Sequence, residues 1–277
     1  MTAQEARARA AGNGVSASSA FRALGRAGLA ARGVIYILVG ALAVQIAFGK
    51  SGGKEADRQG ALQTVAGTPG GTILLWLLAI GLAGMALWRF SEAVWGQAGP
   101  DGDKATKRLN SLGRGIFYAV VCASTVAFII GAGGPGSSDK KSRDYSGKAM
   151  HDIPGGRWLV LLVGLGLVAG GIGIAVSAMK TKFEKKLNTH QMSPAVRKTV
   201  KTLGVVGKTT RALVYASAGA FFAYAAIKFD PGKAKGVDGT LRQFAHTPVG
   251  PWLLVLIALG LIVFGLYSFC EARWRRV

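Results

Sequence analysis

Six long stretches with almost no charge dominate this chain and restrict what it can become. They run over about 33–49, 72–95, 115–132, 158–179, 212–227 and 251–269. A helix rises about 1.5 Å per residue, so each can cross a hydrocarbon layer of roughly 30 Å, the shorter ones with flanking side chains that reach the surface. An amphipathic helix on a soluble core shows polar residues on one face. These stretches are apolar all round. The expected fold class is therefore an all-α integral membrane protein with six transmembrane helices.

Charge is concentrated between the apolar blocks. The chain carries 34 Lys and Arg against 13 Asp and Glu, a formal net charge of +21. Such an excess invites a nucleic-acid reading, but no recognised binding module accompanies it. Basic residues flanking bilayer segments point to the lipid bilayer as partner, with anionic head groups at the basic face. Most Lys and Arg fall in the N-terminal tail, the two even-numbered loops and the C-terminus. The positive-inside rule then puts both termini in the cytoplasm. Residues 1–24, rich in Ala, Gly, Ser and Arg, read as a flexible cytoplasmic tail, and the first apolar block reads as an uncleaved signal anchor.

An internal repeat organises the blocks. Arg32-Gly-Val-Ile-Tyr36, Arg114-Gly-Ile-Phe-Tyr118 and Arg211-Ala-Leu-Val-Tyr215 open the odd-numbered helices. Pro69, Pro154 and Pro248 precede the even-numbered ones, each followed twelve residues later by Gly81, Gly166 or Gly260. The first and third copies agree further. Gly60-Ala-Leu-Gln-Thr-Val-Ala-Gly-Thr-Pro69 aligns without gaps with Gly239-Thr-Leu-Arg-Gln-Phe-Ala-His-Thr-Pro248, and Glu92-Ala-Val-Trp95 with Glu271-Ala-Arg-Trp274. The second copy has Ser177 where the others have Glu. In the segments before Pro69 and Pro248, Leu62, Val65 and Ala66, and Leu241, Phe244 and Ala245, stand at the spacing of short amphipathic helices on the outer interface.

These features resemble the bacterial membrane-protein family catalogued as domain of unknown function 1206, whose members carry three copies of a two-helix module. The resemblance covers roughly residues 25 to 275. It rests on the Arg-Gly-x-x-Tyr openings, the Gly-Ala-Leu-x-x-x-Ala-x-Thr-Pro-x-Gly segment and Glu-Ala-x-Trp. It implies a bacterial plasma-membrane architecture and no activity. The expected division is a tail over 1–24 and two-helix repeats over 25–97, 98–180 and 181–277, the last with a basic cytoplasmic linker. An even number of helices per copy gives all copies one orientation, which suggests a pseudo-threefold bundle.

Few residues offer chemistry. The three Arg and three Tyr of the helix openings, Arg32, Tyr36, Arg114, Tyr118, Arg211 and Tyr215, are expected at one cytoplasmic depth. Glu92 and Glu271 end even-numbered helices there, and Arg89 lies close by. Together they form a candidate polar layer. Its structural reading is a set of ion pairs locking the copies together; its functional reading is an anion site or a proton-coupled gate. Lys182, Lys185, Lys186, Arg197, Lys198 and Lys201 are the candidate contacts for anionic lipid. Gly204-Val-Val-Gly207-Lys208-Thr209-Thr210 lacks the first glycine and preceding strand of a phosphate loop. Cys122 and Cys270 read as small buried hydrophobes, and His151, His190 and His246 lie in separate segments, so no metal or other cofactor is expected. With no catalytic constellation, the chain reads as a non-enzyme, structural or accessory in the membrane, with a small transporter or channel as the alternative. Gly164, Gly166, Gly170, Gly171 and Gly173 of the fourth block, which include a Gly-x-x-x-Gly pair, are expected to pack against a neighbouring helix, with a flexible gate as the alternative.

Overall fold

The computed structural model describes residues 19–49, 55–96, 104–131, 138–245 and 249–275. Among these residues the regular elements are helical: α1 (Ser19–Ala47), α2 (Arg58–Ala66), α3 (Gly71–Trp95), α4 (Ala105–Ile129), α5 (Ser138–Asp152), α6 (Gly156–Met179), α7 (Pro194–Lys228), α8 (Val237–Ala245) and α9 (Gly250–Trp274). Short 3-10 turns occupy Lys182–Lys186, Thr189–Gln191 and Pro231–Lys233. Six helices are long and apolar enough to cross a membrane: α1 from Gly25 onward, α3, α4, α6, α7 and α9.

The helices overrun the apolar blocks, mostly at their N-terminal ends. The segment 181–210, expected as a loop, is helical from Pro194, so Arg211 lies in mid-helix and not at a helix entrance. The cause is local. Ser193 caps the helix, its Oγ accepting from the Val196 amide at 3.4 Å, and Pro194 takes the first-turn position where a missing N–H costs nothing. Arg114 likewise sits well inside α4, and Arg32 inside α1, whose helix already includes 19–24 of the expected tail. Residues 1–18 of that tail lie outside the described residues.

The short helices before Pro69 and Pro248 are present as α2 and α8, with Leu62 and Leu241 buried. Pro248 and His246 lie outside the described residues. The second copy also has such an element, α5, which its polar sequence did not announce. Pro69 and Pro154 stand two residues before their helices rather than at the first helical position. Gly70 and Gly155 follow them with φ of 74°, a left-handed conformation open to glycine at no steric cost.

The chain divides into two compact units, each drawn from separate parts of the sequence. One unit combines the start of α1 up to Arg32, the segment 65–134 and the C-terminal 268–277. Here α3 packs on α4, with Gly115 against the Phe90 ring and the Cys122 thiol 3.4 Å from the Ala79 carbonyl. α1 meets α3 through Gly28, where an added Cβ would come within 2.6 Å of the Gly81 carbonyl oxygen. Leu29, Met85 and Trp88 form a buried cluster, covered by Tyr118 and Ala272.

The other unit holds 33–64 and 135–267. Close backbone approach organises it. A Cβ on Gly164 of α6 would stand 2.6 Å from the Ala223 nitrogen, and one on Gly219 of α7 2.7 Å from the Gly164 carbonyl oxygen. Gly171 makes a similar approach to Ala212. Of the five glycines expected to pack, Gly164 and Gly171 therefore do, whereas a Cβ on Gly166, Gly170 or Gly173 would meet nothing within 4 Å. In this helix Gly164 and Gly171, seven apart, face α7, and Gly166 and Gly170 fall on a different side. Gly207 of α7 lies against the Phe264 backbone of α9, and Gly40 of α1 against Ala258 and Ile262. Without a hydrophobic drive between helices in lipid, such small-residue contacts supply van der Waals packing.

Candidate functional site: two clusters of buried charge

In the first unit, charged residues from the middle of α1 and the C-terminal ends of α3 and α9 converge. Arg32 pairs through Nη2 with Glu271 Oε2, and its Nε donates to Ser268 Oγ at 3.1 Å. Arg275 donates to the second Glu271 oxygen at 3.2 Å. One carboxylate thus joins guanidinium groups from α1 and from the C-terminal end of α9. Glu92 of α3 accepts from Arg89 at 2.6 Å and from the Ser111 hydroxyl of α4 at 3.1 Å. Arg89 (3% exposed), Glu271 (5%) and Arg275 (6%) are buried.

Trp88 links the two ion pairs. The Arg89 guanidinium lies 4.4 Å and that of Arg275 4.9 Å from its ring centre. An aromatic face attracts a cation and spares it from hydrogen-bonded water. Burial pushes the Arg275 guanidinium below its ordinary value; the Glu271 carboxylate opposes this, and the cations of Arg89 and Arg32 add to it. A second device closes the end of α3. Arg108 of α4 donates to the Ala93 and Val94 carbonyls at 2.8 and 2.7 Å, satisfying acceptors that a helix terminus leaves open.

In the second unit two cations, Arg211 and Lys208, lie against aromatic rings. Arg211 of α7 lies 4.9 Å from the ring centres of Tyr215 and Phe264 and 5.6 Å from that of Tyr36. Tyr36 and Tyr215 share a hydroxyl–hydroxyl hydrogen bond of 2.8 Å, joining α1 to α7. One turn earlier, Lys208 sits 4.6 Å from the Phe183 ring centre and 4.7 Å from that of Tyr267. Phe183 comes from the 3-10 turn after α6 and Tyr267 from α9, so one ammonium group ties three elements together.

The structure therefore groups the expected layer by unit. Arg32, Arg89, Glu92 and Glu271 meet in the first, where Tyr118 packs on the Leu29–Met85–Trp88 cluster. Arg114 is exposed on α4. Tyr36, Arg211 and Tyr215 meet in the second. Sequence reasoning missed Arg275, Ser111, Ser268 and Trp88, and also Lys208, Phe183, Phe264 and Tyr267. Some were within reach: Arg275 is four residues after Glu271, and Lys208 three before Arg211, both on shared helix faces. The six candidate lipid-contact residues, Lys182, Lys185, Lys186, Arg197, Lys198 and Lys201, are all exposed.

A further polar contact lies between short helices in the second unit. Asp57 caps α2, accepting from the Gly60 amide at 2.9 Å. Asp238 of α8 accepts from the Ala56 amide at 2.7 Å and pairs with Arg242 at 2.7 Å. The entry to α2 is thereby fixed to α8. Among the described residues, no group of three or more His, Cys, Asp or Glu side chains is placed to hold a metal ion.

Six helices long and apolar enough to span a membrane fit the class of multi-pass helical membrane proteins. The chain belongs to the family described as Domain of Unknown Function (DUF1206), whose model matches three times in tandem, at residues 27–96, 109–181 and 206–275. It is similar to an uncharacterised protein of Bacillus subtilis (strain 168), 29% identical over 255 residues that cover 91% of this chain and 90% of that protein. No solved structure matches.

Proposed function

We propose that this is a non-enzymatic structural or accessory protein of the bacterial plasma membrane. In this reading both termini are cytoplasmic, and three like-oriented helix pairs surround a pseudo-threefold axis. The observation that carries it is the use of two carboxylates, Glu271 buried and Glu92 half-buried. Glu271 is shared between Arg32 and Arg275, and Glu92 between Arg89 and Ser111. These two are committed to neighbouring side chains on other turns and other helices, which suits a brace.

The test is thermal unfolding in detergent of the wild type against a Glu92→Gln, Glu271→Gln double variant. Removing one partner of a buried pair leaves a charge uncompensated, at a cost of about 3–5 kcal/mol. The double variant is expected to melt far below the wild type. An unchanged or raised melting temperature would contradict the brace and direct attention to a transported ion.

A further inference from the structure

The candidate lipid contacts lie on an ordered platform rather than a loop. α6 ends at Met179, and the chain turns through Thr181 (φ 49°) into the 3-10 turn Lys182–Lys186. Phe183 and Leu187 are buried and pin this turn, which leaves Lys182, Lys185 and Lys186 outward. Across from it runs the first half of α7. Val200, Gly204 and Gly207 are buried there, while Arg197, Lys198 and Lys201 are exposed. The two elements are clamped twice: by the Arg197–Glu184 bridge at 3.0 Å and by Lys208 over the Phe183 ring. Arg197, Lys201 and Lys208 fall on one face at intervals of four and seven, so Lys201 stands between the two clamped positions along α7.

From Lys180 to Lys201 the only acid is Glu184, against seven Lys and Arg. Fixing like charges on opposed elements costs energy unless an anion joins them. The position identifies the anion. The platform starts immediately after Met179, which with Val176 ends the outward apolar surface of α6 (61% and 37% exposed). Cations directly beyond an apolar girdle stand at head-group depth.

We propose that this platform binds the phosphate-bearing head groups of anionic lipid. The proposal rests on the membrane placement given above and is independent of the carboxylate brace. A soluble polyanion would find the same charges but not the adjoining apolar surface.

The test is a titration of the purified protein in neutral detergent, followed by thermal unfolding, with phosphatidylglycerol, phosphatidylcholine or inorganic phosphate. Phosphatidylglycerol is expected to raise the melting temperature, less so in high salt, and the other two to have little effect. Lys182→Gln, Lys185→Gln, Lys201→Gln replaces three exposed side chains and leaves the fold intact. Its apparent affinity for phosphatidylglycerol is expected to fall about a hundredfold, at roughly fivefold per surface charge. A Lys228→Gln, Lys233→Gln variant, altered at the far end of α7, is expected to respond as the wild type does. Equal stabilisation by phosphatidylcholine, an undiminished response in the triple variant, or a matching effect of phosphate alone would each overturn the proposal.

Discussion

At the scale of single residues, two clusters stabilise buried and half-buried cations in different ways. Glu271 neutralises Arg32 and Arg275 directly, whereas Lys208 and Arg211 lie against Phe183, Tyr267, Tyr215, Phe264 and Tyr36. Ring stacking is weaker per contact than an ion pair, but it does not require a second desolvated charge. Lys208→Gln keeps length and polarity and loses the cation. It is expected to cost about 1–2 kcal/mol in detergent unfolding, with Lys208→Arg restoring most of the loss. A neutral Lys208→Gln would show that the two rings contribute packing only. The repeat motif exposed Arg211 and its tyrosine to sequence reasoning; Phe183 and Tyr267 stayed hidden because they belong to other elements and to no shared pattern.

At the scale of elements, glycine position decides which helix faces can close. Gly164 and Gly166 sit two apart in α6, yet only Gly164 meets the α7 backbone, which cannot swing away as a side chain would. Gly164→Ala is expected to destabilise by about 1–3 kcal/mol, through forced separation of α6 and α7. Gly166→Ala meets open space and gains helix propensity, so its melting temperature is expected to stay level or rise slightly. Thermal melts of the pair in one detergent decide this, and equal losses would contradict the assigned packing face. The apolar blocks were legible in the sequence because a spanning helix needs hydrophobicity alone, whatever its neighbours. The extents were less so. The first half of α7 looks like a basic loop until Ser193 and Pro194 are read as a cap. α5, from Ser138 to Asp152, is mostly polar, and Ser146 and Met150 are buried in it. The glycines were visible, but which of them approach a neighbour depends on helix rotation, which a near-uniform apolar sequence does not specify.

At the scale of the whole molecule, the tandem matches to one family model and the agreement between first and third copies describe a chain grown by duplication of a helix pair. The second copy has drifted. It carries Ser177 in place of the acid, and its Gly166 is open where the corresponding Gly81 and Gly260 are packed. The proposed topology predicts opposite exposure for Lys185, between α6 and α7, and Lys233, between α7 and α8. In a background lacking Cys122 and Cys270, an impermeant maleimide added to right-side-out vesicles is expected to label Lys233→Cys and spare Lys185→Cys. The reverse pattern would invert the orientation, and labelling of both would remove α7 as a span. The brace requires that Glu271, buried and paired with Arg32, hold α9 to α1. A double-mutant cycle on Arg32→Gln and Glu271→Gln, read by unfolding in detergent, tests it most directly. A coupling of about 1–3 kcal/mol is expected, each single change costing more than its share of the pair. A coupling near zero would mean that Arg32 and Glu271 do not stabilise one another, and the brace would have to be abandoned.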